Sequence, residues 1–130
     1  MIFVPISLGE LVDKITILKI KLLKIKDNLK LDNVLKEYNI LLDIMLKNNI
    51  KETDDFFIKL YEINLEFWNY HDWQREKWAS YDENIIDLEL YRQNKNEHIL
   101  NDKRAKIKKQ INLLYNSDII EEKQFISYTI

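Results

Sequence analysis

The residues of this 130-residue chain whose types and spacing could do chemistry are few: two histidines, two S-x-x-E motifs, and cations and amides set into apolar helical faces. On a wheel turning about 100° per residue, His71 and Arg75 each fall within about 20° of Asn64. They share their side with Phe57, Leu60, Tyr61, Trp68 and Trp78. A buried polar group without a partner costs roughly 1–3 kcal/mol, so these three must find one another, reach water at a cleft, or meet a ligand. Asp72 stands beside them as a partner for Arg75.

A second polar row, Asn101, Arg104, Lys108 and Asn112, spans roughly 80° along the edge of the stripe Leu100, Ile107 and Ile111. A third edge carries Glu10, Lys14 and Lys21 beside Leu11, Leu18 and Ile25, with Asp13 across from Lys14. A bundle joining these edges would hold a polar cleft. In it Arg75, Arg104, Lys14 and Lys108 would converge on a phosphate or carboxylate, with Asn64, Trp68, Asp72, Asn101 and Asn112 in its walls. Glu10, Asp13 or His71 would move a proton.

Each of these residues also has a plainer role. Edge lysines such as Lys14, Lys21 and Lys108 lay their stems over apolar neighbours and keep the charge in water. Glu10 completes a capping box with Ser7. His71, beside Trp68 and Asp72, reads as a hydrogen-bonded core residue. Neither His71 nor His98 belongs to an H-E-x-x-H motif. Glu62 and Glu66 lack the Glu-x-x-His companion of a di-metal bundle, so no metal site is expected. There is no cysteine, glycine-rich phosphate loop or G-x-S-x-G elbow, and no cofactor is expected.

The elements that must position these residues are helical. Gly9 is the only glycine and Pro5 the only proline, so beyond residue 10 the chain lacks the punctuation of hairpins. Pro5 makes Ile2–Ile6 an extended arm. Ser7 and Glu10 then open a helix with Leu8, Leu11, Ile15, Leu18, Leu22 and Ile25 on one face. A turn at Asp27-Asn28 leads to a second helix with Leu31, Val34, Leu35, Tyr38, Leu41, Leu42 and Met45, packed antiparallel to the first. Thr53 caps a third, ending near Ala79. Ser80 and Glu83 open a fourth, ending near Asn94 to Asn96, and a fifth runs from about Glu97 to Tyr115. The tail from Ile119 to Ile130 reads equally as a strand-like arm, from the alternation at Phe125 to Ile130, or as a helical turn. The expectation is one all-α domain, residues 1–130: an antiparallel bundle of about five helices with short extended arms.

A net charge of −2 from 20 basic and 22 acidic residues gives no global field for nucleic acid or an anionic membrane. The run Lys103–Lys109 points around much of its helix, and Glu97, Asp102, Glu121 and Glu122 offset it, so a solvated face is the better reading than a nucleic-acid contact. No apolar run approaches the roughly 18 residues of a bilayer span, and Met1–Pro5 lacks signal-peptide character, so a cytoplasmic setting is expected.

The segments Ser7–Leu18, Ile63–Trp68 and Asn101–Asn112, with Ser117–Tyr128 and its Glu121-Glu122-Lys123, resemble an uncharacterised family of short helical proteins from bacteria and phages. The resemblance covers nearly the whole chain, and its first and last motifs are the specific ones. It implies an all-helical fold and a bacterial or phage source, host-cytoplasmic if viral, without an assigned activity. Its motifs fall on the same polar edges: Glu10, Asp13 and Lys14; Asn64, Trp68 and Arg75; Asn101, Arg104, Lys108 and Asn112. His71-Asp72 stands where the family leads one to expect an acidic pair. Two functional readings follow. The first is a non-enzymatic helical interaction module that self-associates. The alternative is a domain that binds, or acts on, a small anionic ligand such as a nucleotide or sugar phosphate between its first, third and fifth helices.

Overall fold

Across residues 1–124, which the computed structural model describes, the chain forms helices α1 (Leu8–Lys24), α2 (Asn28–Lys47), α3 (Asp55–Ala79) and α4 (Leu88–Leu114). No strand occurs among the described residues, and the architecture is all-α with four helices rather than five. The alternating Phe125–Ile130 stretch lies outside the described residues.

The first helix begins where its capping signal lies: Ser7 Oγ accepts the Glu10 N–H at 3.0 Å. It is the central element and packs against all three others. That is why it buries Val12 and Ile20 as well as Leu11, Ile15 and Leu18, a wider surface than a single stripe. Asp27 caps α2 by accepting the Lys30 N–H at 3.0 Å. Among the helices α2 packs only on α1, so it buries Val34 and Met45 and leaves Leu35, Ile40, Ile44 and Leu46 exposed. Asn49, at φ 61°, turns the chain through the left-handed region that asparagine tolerates. Ile50 then drops into the core formed by Leu11, Val12, Ile15, Met45, Phe57, Leu60 and Ile111.

The start of α3 differs from the expected Thr53 cap by one residue. Asp54 holds the N-cap position, but its carboxylate turns away from the helix and accepts the Lys51 N–H at 2.9 Å and the Tyr115 hydroxyl at 2.7 Å. The side chain therefore ties the α2–α3 loop to the end of α4. Burial, and then the Asp54 carboxylate, push the Tyr115 hydroxyl up to about 12.

The fourth and fifth expected helices are one. Ser80 does not open a helix: its hydroxyl donates back to the carbonyls of Glu76 at 3.5 Å and Lys77 at 3.4 Å, closing α3. The true cap is Asp87, which accepts the Leu90 N–H at 3.0 Å, and α4 then continues through Asn94–Asn96 without a break. The helix lacks a plain apolar stripe because much of the face it turns to α1 is polar. Two registers fix it antiparallel to its neighbours. Lys77 meets Asp87 and Glu89 at one end of the α3–α4 pair while Asn64 lies level with Arg104, and Gly9, Glu10 and Asp13 of α1 meet Asn112, Lys108 and Arg104 in that order. No helix of the described residues is long and apolar enough to cross a membrane.

Candidate functional site

Arg104, Lys108 and Asn112 stand four residues apart, so they line up along one face of α4. Each meets a group in the first two turns of α1. The Arg104 fork closes on the Asp13 carboxylate, with Nε donating to Oδ1 at 2.8 Å and Nη2 donating to Oδ2. Lys108 Nζ sits 2.5 Å from Glu10 Oε2. Asn112 Oδ1 accepts the Gly9 N–H at 2.6 Å. One turn further, Asn116 at φ 54° lets the Ser117 N–H return to the Asn112 carbonyl at 2.8 Å, and Ser117 Oγ accepts the Leu8 N–H at 3.1 Å. The end of α4 thus satisfies the open donors at the start of α1.

This close approach explains the glycine. A Cβ at Gly9 would fall inside the contact distance of the Lys108 carbonyl oxygen and lie 3.0 Å from Asn112 Oδ1. Any side chain there would push α4 off α1.

The fully buried carboxylate is Asp13, 1% exposed. Besides Arg104 it receives Asn64 Nδ2 at 2.9 Å, and the same amide nitrogen reaches Thr16 Oγ1 at 2.9 Å, whose hydroxyl donates to the Asp13 carbonyl at 2.7 Å. One carboxylate therefore joins α1, α3 and α4. Burial alone would raise its pKa. The hydrogen bonds from Arg104 and Asn64, with the charges of Arg104 and Lys108, outweigh burial and hold the carboxyl below its ordinary range. The Arg104 pKa is raised by its bonds to Asp13, against burial, and its guanidinium lies 6.0 Å from the Phe67 ring centre.

Two of the plainer sequence readings change here. Glu10 contributes its backbone N–H to the cap while its carboxylate serves Lys108. Lys108, expected with its charge in water, is only 18% exposed at the side chain because Glu10 draws it inward. Lys14 does follow the solvated pattern, 48% exposed and 4.0 Å from Glu10. Lys21 is half-buried.

Beside Arg104 the three helices leave a cleft of about 510 Å³. Ile17 and Ile20 of α1, Asn64, Phe67, Trp68 and His71 of α3, and Asn94, Glu97, His98, Asn101 and Arg104 of α4 line it. His71 takes its partner from across the cleft, Nε2 standing 2.9 Å from Glu97 Oε1, and not from the adjacent Asp72. On the other side of Glu97, the Tyr70 hydroxyl is buried with no hydrogen-bond partner among the described residues, and burial and the Glu97 charge raise its pKa. A second hollow, about 630 Å³, lies on the far side of Arg104, where Glu10, Asn101, Lys108 and Asn112 face Glu121 and Glu122. A third, about 700 Å³, lies between the N-terminal arm and α2 and includes Lys14.

The expected site is therefore divided. Asn64, Trp68, His71, Asn101 and Arg104 share the cleft; Glu10, Lys108 and Asn112 share the second hollow with Asn101 and Arg104; Asp13 lies buried beneath both. Arg75 and Asp72 are exposed and line none of these three hollows. Arg75, Arg104 and Lys14 consequently do not converge. Thr16, Glu97 and Ser117 belong to the arrangement and carry no signal of their own in the sequence beyond being polar. Among the described residues no group of three His, Asp or Glu side chains is placed to hold a metal ion. The chain matches no family model, no curated protein and no solved structure.

Proposed function

We propose that the chain is a non-enzymatic helical module that acts through association, first of all with a second copy of itself. The observation that carries this reading is an exposed apolar surface on the side of α1 opposite the polar seam. Met1, Ile2 and Phe3 are 86–89% exposed, and together with Val4 they border a groove whose far wall includes Ile40 and Ile44 of α2. Monomeric domains rarely leave such a patch open. Lys14 and Lys36 stand on the rim with Glu37, so a two-fold arrangement would set lysines of one copy against glutamates of the other. The acids on α1 support the same reading from the opposite side, since Glu10 and Asp13 are both committed to cations of α4. The family resemblance supports a bacterial or phage source and a cytoplasmic setting, that of the host if the protein is viral.

Sedimentation equilibrium of the full chain tests the proposal. A dimer is expected, and Phe3→Asp combined with Ile44→Asp should return a monomer that keeps its helical content, with a melting temperature that no longer depends on protein concentration. A full-length chain that stays monomeric across the accessible concentrations contradicts self-association.

A second reading, a small-ligand site, is favoured by the cleft beside Arg104. Its volume falls within the range of small-molecule pockets, roughly 300–1,000 Å³, and its walls mix an aromatic face with amides and a carboxylate–imidazole pair.

A further inference from the structure

The cleft between α1, α3 and α4 offers hydrogen-bonding groups that the fold leaves unused. Asn64 is 5% exposed, and both of its side-chain hydrogen bonds run through Nδ2, so Oδ1 accepts nothing from the described residues. The Asn101 side chain makes no hydrogen bond among the described residues. Arg104 commits Nε and Nη2 to Asp13, leaving Nη1 without a hydrogen-bond partner among them. The cleft thus presents one amide acceptor, one guanidinium donor, and an amide that offers both, with Trp68 beside them. That acceptor oxygen, Asn64 Oδ1, is open to water in the cleft, so a ligand group that donates to Asn64 takes the place of a water there.

Charge decides what that something is. The Arg104 charge is offset by Asp13 at bidentate distance, and Glu97 adds a negative charge to the same wall. An anion would meet no uncompensated cation in the cleft, and a cationic ligand would face the guanidinium. A hydroxyl group both donates and accepts, which suits a wall where Asn64 Oδ1, Asn101 and Arg104 Nη1 alternate in sense. Trp68 alone would also stack a flat base, so adenosine is tested beside the sugars.

We propose that this cleft binds one neutral polyhydroxylated ring of monosaccharide size, its apolar face on Trp68 and its hydroxyls on Asn64, Asn101 and Arg104. The inference rests on the small-ligand reading and names the ligand class for it. It moves that class from the phosphate or carboxylate group to the sugar ring. Asn64 and Arg104 are held in place by Asp13 before any ligand arrives, so little ordering is needed on binding.

The test is a ¹H–¹⁵N titration of the full chain with glucose, galactose, mannose, ribose and N-acetylglucosamine, with inorganic phosphate and adenosine as separate arms. At least one sugar should shift the Trp68 indole and the Asn64 and Asn101 side-chain amides saturably, while phosphate leaves them still. Asn101 lies outside the Asp13 network, so Asn101→Ala should keep the melting temperature and weaken the sugar about tenfold, the loss of one or two hydrogen bonds. If phosphate or adenosine moves these signals and no sugar does, the cleft is a ligand site of another class and the proposal fails. If nothing moves them, the ligand reading fails with it. Sugar shifts indifferent to Asn101→Ala also overturn the assignment.

Discussion

Replacing Arg104 with alanine removes both fork contacts to Asp13 and leaves that carboxylate, 1% exposed, with Asn64 as its remaining side-chain donor. Breaking a buried ion pair by deleting one partner costs roughly 3–5 kcal/mol, because the other charge stays desolvated. The Arg104 side chain is 27% exposed, so water can enter the vacated space, and the expected loss lies at the lower end, about 3 kcal/mol. Against a total stability on the order of 5–15 kcal/mol this is a large fraction, corresponding to a drop of about 10 °C in melting temperature. Urea denaturation should show the midpoint falling with the slope unchanged. Arg104→Lys keeps the charge but not the fork, and should lie between. In a double-mutant cycle with Asp13→Asn the two sites should couple by about 1–3 kcal/mol. A loss below about 1 kcal/mol for Arg104→Ala, or coupling near zero, refutes the reasoning, since an arginine kept only for a ligand can be removed without that cost.

Three further outcomes follow from the same contacts. Gly9→Ala should destabilise by about 1–3 kcal/mol in denaturant melts, because the new Cβ meets the Lys108 carbonyl and the modest gain in helix propensity does not offset the separation of α1 from α4. Asp87→Ala should lower the melting temperature while Ser80→Ala leaves it nearly unchanged, which separates the observed α4 cap from the one the S-x-x-E spacing points to. Acid should destabilise the chain through Asp13. Its folded pKa lies below the unfolded value of about 3.9, so its contribution is complete above that value and disappears as the pH falls through the lower folded one. Asp13→Asn should remove that part of the acid slope.

How far the sequence carries depends on whether a residue speaks locally. The first helix is legible because Ser7 caps it and its apolar residues recur with helical spacing. The row Asn101, Arg104, Lys108 and Asn112 is legible as a polar edge for the same reason. What the wheel cannot say is whether an edge meets a partner, and this one meets Asp13, Glu10 and Gly9 on another helix. The break expected near Asn94–Asn96 is absent because α4 turns a polar face inward, so its apolar periodicity is weak although the helix is continuous. Arg75 shares an angle with Asn64 and His71 but not their surroundings. At 25 residues α3 is about 37 Å long, and the 17 residues of α1 span about 25 Å, so α3 runs on beyond α1 with α4 as its remaining neighbour. Glu97 escaped notice as the partner of His71 because it lies 26 residues away in sequence, and only the α3–α4 pairing makes them neighbours.

Asp13 is a fixed anion that joins three helices, and the most direct measurement of it is its carboxyl ¹³C shift followed through an acid titration of the intact protein. A midpoint below the ordinary value of about 3.9 is predicted, with the Arg104 side-chain signals moving at the same pH. A midpoint above about 5, in the direction a proton-transferring acid requires, would contradict it.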